Sequence, residues 1–319
     1  MSFCLPLQLI GGIPTTIGAL GPTLTNFLVE YNQLDTPIPE ELGLLSNAQQ
    51  ISLSKNGFTG RLPASLGNLE AIQFLTFDNN KFSGQIPSEL FGVMNTIDLL
   101  DLSYNELTGK IPVELLLAGK DSAIDGLRLD HNQLSGAIAS EIGLLTSAKT
   151  IALGTNKFTG TVPSEFGLLS TNLNWLELSA TTIEGQLPSE LASMSALTVL
   201  LMEGTTELTG TIPSHFGTFS SLLELSLSGT QIGGTLPSEL GNALTLQQLY
   251  LNGNDLTGSI PTEFGLLTNL QHLWLHHNKL VGSVPAEVCQ LGLQTLVIDC
   301  EMVVCNVDCC TCSTESVSL

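Results

Sequence analysis

A repeat limits what this chain can fold into more than any other feature. An [Ile/Leu/Val]-Pro dipeptide, usually within Gly-x-[Ile/Leu/Val]-Pro, ends at Pro14, Pro39, Pro63, Pro87, Pro112, Pro163, Pro188, Pro213, Pro237, Pro261 and Pro285. A twelfth copy is degenerate, with Ala139 in place of proline. Successive copies lie 24 or 25 residues apart, except for one step of 27 into Ala139, which puts a short insertion around Leu117 to Ser122. Such a period means one supersecondary unit per copy, stacked on its neighbours to bury a continuous core. A solenoid grows linearly, so 319 residues need not split into two globular bodies.

One unit reads Leu246-x-x-Leu249-x-Leu251-x-x-Asn254-x-Leu256-Thr257-Gly258-x-Ile260-Pro261-x-x-Phe264-Gly265-x-Leu267. Leu249 and Leu251 alternate, so both face one side of a short strand. Asn254 follows where the chain must turn, and its amide can satisfy the backbone of the turn and of a neighbouring coil. Gly258 supplies a permissive backbone, and Pro261 fixes φ. Pro-Ser-Glu, as at residues 163–165, suits a helix start, with proline early and an acid in the first turn. The asparagine recurs as Asn32, Asn56, Asn80, Asn105, Asn132, Asn156 and Asn278, and gives way in three successive coils to Thr181, Thr206 and Thr230. An extra residue near Glu203-Gly204 predicts an irregularity there.

This pattern resembles the plant-type leucine-rich-repeat family, from about Gly12 to Leu296, through the Leu-Thr-Gly-x-Ile-Pro element repeated in phase. Members include receptor-like proteins, receptor-kinase ectodomains and polygalacturonase inhibitors, with similar solenoids in algae and protists. The resemblance implies an α/β repeat solenoid. It would be a right-handed superhelix with a parallel β-sheet on its concave side, short 3-10 or helical turns on its convex side, and ligand binding on the concave side. The expected organisation is an incomplete N-terminal cap over residues 1–11, a solenoid of about twelve repeats over 12–298, and a cysteine-rich cap and tail over 299–319. Two departures point towards an algal or protist relative. Cys4 stands alone where plant members carry a cysteine pair, and the C-terminal cysteines are denser than a usual plant cap.

Six of the seven cysteines are Cys289, Cys300, Cys305, Cys309, Cys310 and Cys312. A solenoid exposes its core at its ends, and cross-links there can replace missing burial. Three disulfides in an oxidising compartment is the preferred reading, although six cysteines allow about 15 pairings. The rival is zinc, through Cys309-x-x-Cys312 with Cys300 and Cys305 upstream and His277 one coil below. Met1 to Ile10 is apolar but has no basic start and is too short for a clear signal peptide. No run of 18 apolar residues exists to cross a membrane. The expected location is extracellular or the lumen of the secretory pathway.

Nine basic residues against 30 acidic ones give a net charge of −21. That excludes nucleic acid and anionic membrane surfaces as natural partners. It leaves a basic partner, a cation-rich matrix or a neutral glycan. No Walker A, Gly-x-Ser-x-Gly, His-Glu-x-x-His or Gly-x-Gly-x-x-Gly is present, and the acids occupy repeat-equivalent positions. The chain reads as a non-enzyme with no cofactor and no metal. An acid recurs two residues after most of these prolines, from Glu41 to Glu287, and forms a charged row, broken at His215, that suits helix starts.

Outward strand positions locate a ligand. They give a charged zone with Asp101, Tyr104, Arg128 and Asp130, a flat zone of small residues around Ala152 and Ser226, and an aromatic zone with Tyr250, Asn252, Trp274 and His276. Clustered exposed aromatics are typical binding anchors. Trp175, beside the core position Leu176, reads as coil packing. His276 and His277, as adjacent strand residues, should point apart. Three functions fit: recognition of a protein, peptide or glycan as in receptor ectodomains, a structural scaffold in a wall, matrix or complex, or inhibition of a secreted hydrolase.

Overall fold

The computed structural model describes residues 8–117, 124–305 and 309–312. Cys4, most of residues 1–11, most of the Leu117 to Ser122 insertion and the end of the tail lie outside the described residues. The chain divides into two compact units, residues 1–158 and 159–319.

In the first unit, six short strands pair in parallel, each one coil from the next: Asn26–Leu28, Gln50–Ser52, Phe74–Thr76, Leu99–Asp101, Gly126–Arg128 and Thr150–Ala152. Register is strict, with Ile51 opposite Leu75, Leu75 opposite Leu100, and Leu100 opposite Leu127. These side chains are fully buried. Burial of each contributes about 1.5–3 kcal/mol. Phe58 and Phe82 stack beneath them, with ring centroids 6.0 Å apart.

The second unit repeats the plan with Trp175–Glu177, Val199–Leu201, Glu224–Ser226, Gln248–Tyr250, His272–Trp274, Thr295–Ile298 and Thr311–Cys312. Its core ladder runs through Leu176, Leu200, Leu225, Leu249, Leu273 and Leu296.

Asparagine holds adjacent coils together. Asn80 Oδ1 accepts from the Phe58 amide of the preceding coil at 3.0 Å, and Nδ2 donates to Leu53 O at 3.0 Å and to Phe77 O at 3.1 Å in its own coil. Asn105, Asn132 and Asn156 repeat this arrangement. In the coils that lack asparagine, Thr181, Thr205 and Thr230 are buried at this place. The expected Thr206 is therefore corrected to Thr205, whose hydroxyl donates to Leu178 O of the preceding coil at 3.2 Å, while Thr206 is exposed. The irregularity lies close to where it was expected: Leu208 N donates to Thr205 O at 3.1 Å, so the extra residue is absorbed just after Thr205.

The turns after each proline are mostly 3-10, with short α-helices at Val113–Leu117 and Ala286–Cys289. One turn packs on the next at glycine. A Cβ added at Gly67 would lie 2.1 Å from Glu89 O of the next coil, and one at Gly217 would lie 2.0 Å from Glu239 O. The acid row is exposed or half-buried, and where a serine or threonine precedes the acid its hydroxyl donates to it, as Ser164 Oγ does to Glu165 at 3.3 Å. At the C-terminal end the structure joins Cys289 to Cys309, Cys300 to Cys312 and Cys305 to Cys310. The first of these ties the last helix to the tail.

Candidate binding face

Three-residue strands leave two outward positions on each coil, and the turn adds two more. Beyond the strand the chain enters the left-handed region at Tyr31, Lys55, Asn79, Tyr104, His131, Thr155, Ala180 and His277. That conformation interrupts strict alternation and keeps two successive side chains on the solvent side.

The effect is clearest in the second unit. His277 has φ 57°, and its ring lies edge-on to His276 with centroids 4.8 Å apart. The expectation that the two histidines point apart is therefore corrected. The same group continues through Trp274, 6.1 Å from His276, to Tyr250, which meets Trp274 edge-to-face at 4.8 Å. Register accounts for this, since Tyr250 and Trp274 are directly opposite on paired strands.

Polar contacts hold the aromatic group in place. Tyr250 donates its hydroxyl to Gln248 Oε1 at 2.8 Å. Trp274 Nε1 donates to Thr295 Oγ1 at 3.1 Å, and His272 Nδ1 lies 2.8 Å from the same hydroxyl. Asn252 Oδ1 accepts from Ser228 Oγ at 2.8 Å. The Asp299 carboxylate accepts from the His277 amide at 2.9 Å and the Asn278 amide at 3.0 Å, which fixes the turn that carries His277. Trp274 remains 37% exposed, enough surface to stack on a partner. Glu224 lies one coil before Gln248. Burial, then the charge of Glu203, pushes its carboxyl above the ordinary range. Burial, then Glu224, pushes the Tyr250 hydroxyl up.

Trp175 belongs to this outward surface and not to the packing between coils. It opens its strand, is 39% exposed, and lies in the register row that continues through Val199 and Glu224. The signal was in the sequence: Trp175 and Glu177 flank Leu176, and flanking positions share a face.

In the first unit, Tyr104 stacks on His131 at 3.9 Å with an interplanar angle of 13°. His131 Nδ1 is 3.0 Å from Asp130 Oδ2. Arg128 is exposed and directly opposite Asp101. Asp101 Oδ1 accepts from Ser103 Oγ at 2.6 Å. Burial raises the Asp101 carboxyl; this hydrogen bond, a second from the Ser103 amide and Arg128 draw it back, while Asp78 adds to the rise. Sequence reasoning missed the contact between Tyr31 and Lys55, whose Nζ donates to the tyrosine hydroxyl at 2.8 Å. The small-residue zone forms no protruding surface: Ser226 and Ser228 in the second unit, and Ala152 in the first, are buried.

The family model described as Leucine Rich Repeat matches residues 47–69, 96–116, 221–243, 245–267 and 269–291. No curated protein matches the sequence. Solved structures do. A TDR receptor is 28% identical with a TM-score of 0.87, over 93% of this chain and 50% of that one. The ectodomain of the Arabidopsis receptor kinase HAESA, in complex with a peptide hormone ligand, is 28% identical with a TM-score of 0.81, over 93% and 49%. A protein of Leptospira interrogans is 31% identical with a TM-score of 0.76, over 95% of this chain and 71% of that one. The chain thus spans about half the length of the two receptor chains. With an in-phase repeat, parallel strands one coil apart and these neighbours, the chain belongs to the leucine-rich-repeat family.

Proposed function

We propose that this chain is a non-catalytic recognition module. It takes a protein or peptide on the outward face of the second unit's sheet, centred on Tyr250, Trp274 and His276. The observation that carries the reading is the edge-to-face Tyr250–Trp274 pair, held at its polar atoms by Gln248 and Thr295 on the same face, with Tyr250 half-buried and Trp274 exposed. Two large rings held in place before binding lose little rotational freedom on contact, which is why such side chains dominate interface energetics. Glu224, whose charge acts on Tyr250, and Glu203, which acts on Glu224, favour a partner that is basic or polar there. The peptide hormone bound by the HAESA ectodomain supports a peptide ligand. Its ectodomain nature and the three cysteine pairs support an extracellular or lumenal location. Asp101, Tyr104, Arg128 and Asp130 of the first unit form a secondary contact surface in this reading.

The test passes native extract over the immobilised oxidised protein and over its Y250A/W274A variant, with circular dichroism to establish that the variant is folded. A polypeptide held by the wild type and bound at least about tenfold more weakly by the variant supports the reading. Equal retention of one stoichiometric set of proteins by both would replace it with a scaffold that uses another face.

A further inference from the structure

Acid outweighs base most strongly in the second unit. Lys279 is the only lysine or arginine after Lys157, and Asp255 already holds it at 2.6 Å. Two carboxylates on the candidate binding face are left without such a partner: neither Glu203 nor Glu224 takes part in an ion pair among the described residues. They act on each other instead. Burial first, and then the charge of Glu203, raises the Glu224 carboxyl.

Between these two acids the sheet surface drops. Register sets Ser226 directly between Leu201 on one neighbouring strand and Tyr250 on the other, and Glu224, two residues earlier, shares its face. The pairing continues past the strand, where Gly204 N donates to Ser228 O at 2.8 Å, so Glu203 stands opposite Ser228. Ser226 and Ser228 are short side chains, 2% and 6% exposed, in a coil flanked by longer ones. The result is a notch one coil wide, with Leu201 and Tyr250 as its walls and Glu224 and Glu203 at opposite ends. The strands that carry the walls are roughly 10 Å apart. Ser228 donates its hydroxyl to Asn252 Oδ1 at 2.8 Å. Ser226 Oγ, buried at the bottom, has no hydrogen-bond partner among the described residues. A buried hydroxyl left unmet costs free energy and is uncommon in a folded protein.

We propose that this notch takes one arginine side chain of the bound polypeptide. The assignment rests on the reading of this face as a recognition surface, and names a residue that the surface reads. A guanidinium is flat, so it fits a slot one coil wide and stacks on the Tyr250 ring. Its five donors point in fixed directions and match acceptors at both ends and at the bottom, which are Glu224, Glu203 and the Ser226 hydroxyl. A lysine ammonium is a compact, strongly hydrated charge with no flat face to lay against the tyrosine. The net charge of −21 draws a basic ligand towards the chain as a whole, and the notch selects among basic residues.

The test titrates the isotope-labelled full chain with a short capped peptide of glycine and serine around a central arginine, and follows amide chemical shifts. Lysine and citrulline versions of the peptide, and calcium chloride, are titrated in parallel. The variants are E203Q/E224Q, S226A, and E239Q/E263Q, which makes the same charge change in the acid row away from this face. The arginine peptide should shift the Ser226, Glu224 and Tyr250 amides to saturation and bind about fivefold or more tightly than the other two peptides. Its binding should weaken about tenfold in E203Q/E224Q and about threefold in S226A, and stay near wild type in E239Q/E263Q. Matching thermal melts keep the comparison valid. The proposal is overturned if the lysine peptide binds as tightly, if E203Q/E224Q binds arginine as wild type does, or if calcium occupies the same amides and displaces the peptide. Failure here is separable from failure of the surface reading. If the arginine peptide does not bind while Y250A/W274A still releases the polypeptide that wild type captures, the notch assignment alone is lost. An arginine peptide that saturates the notch upholds it whatever Y250A/W274A retains.

Discussion

The asparagine at the end of each strand makes a quantitative demand that Asn105 can test. Its Oδ1 accepts from the Phe82 amide at 3.0 Å, and its Nδ2 donates to Phe77 O at 3.0 Å, Leu102 O at 3.1 Å and Ser103 O at 3.1 Å. The residue is 9% exposed, so water cannot take over these bonds without opening the coil. Alanine at this place leaves the buried Phe82 amide without its acceptor and removes a donor shared by three carbonyls. A buried polar group left unmet costs about 1–3 kcal/mol, so N105A should destabilise the first unit by roughly 3–5 kcal/mol. N105T should recover about 1 kcal/mol of that, because Thr181 shows the hydroxyl reaching the equivalent carbonyl, Leu178 O, at 3.0 Å. Stacked coils need not unfold as one, so a single melting curve is a poor measure. Hydrogen exchange resolved to single amides is the better assay, with Phe82 expected to lose most protection and coils remote from it to change little. If N105A exchanged like wild type at Phe82, or if the loss spread evenly over the unit, the assignment of coil-to-coil cohesion to this side chain would be wrong.

Two further outcomes follow from the packing. G217A places a methyl 2.0 Å from Glu239 O, a backbone atom that cannot swing aside, so the second unit should lose about 1–3 kcal/mol, read by thermal or urea unfolding. E224Q removes a carboxyl held above its ordinary range by burial and by Glu203. A raised carboxyl contributes stability at low pH that is lost as pH rises through the raised value. Wild type should therefore soften between the ordinary and raised values, and E224Q should show a flatter melting-temperature profile and a higher melting temperature at neutral pH.

Periodicity made the repeats, the core ladder and the asparagine ladder legible, because each follows from spacing alone. The pairing of Tyr250 with Trp274 was legible for the same reason, since equivalent positions on successive strands must be opposite one another. Three features needed the backbone. Thr205 and Thr206 are adjacent threonines, and only closure of the coil decides which turns inward. His277 follows the strand in a left-handed conformation, where two-residue alternation no longer predicts direction. A groove lined by Arg61, Gln85 and Lys110 is assembled from separate corners, so no local stretch of sequence announces it.

The left-handed position after each strand has a consequence for how the surface can vary. In the first unit it displays a side chain in every coil from Tyr31 to Thr155, each accepting a conformation that costs an L-residue about 1–2 kcal/mol. In the second unit, three successive coils use Gly204, Gly229 and Gly253 instead. Gly253 is so close to its neighbour that a Cβ there would lie 3.4 Å from the Gly229 backbone, ordinary contact and no clash. The outcome is a bare strip of main chain in which side chains could be written, one coil at a time, without disturbing the core. A change of specificity there would draw on conformational strain alone, a cost the six coils of the first unit already bear.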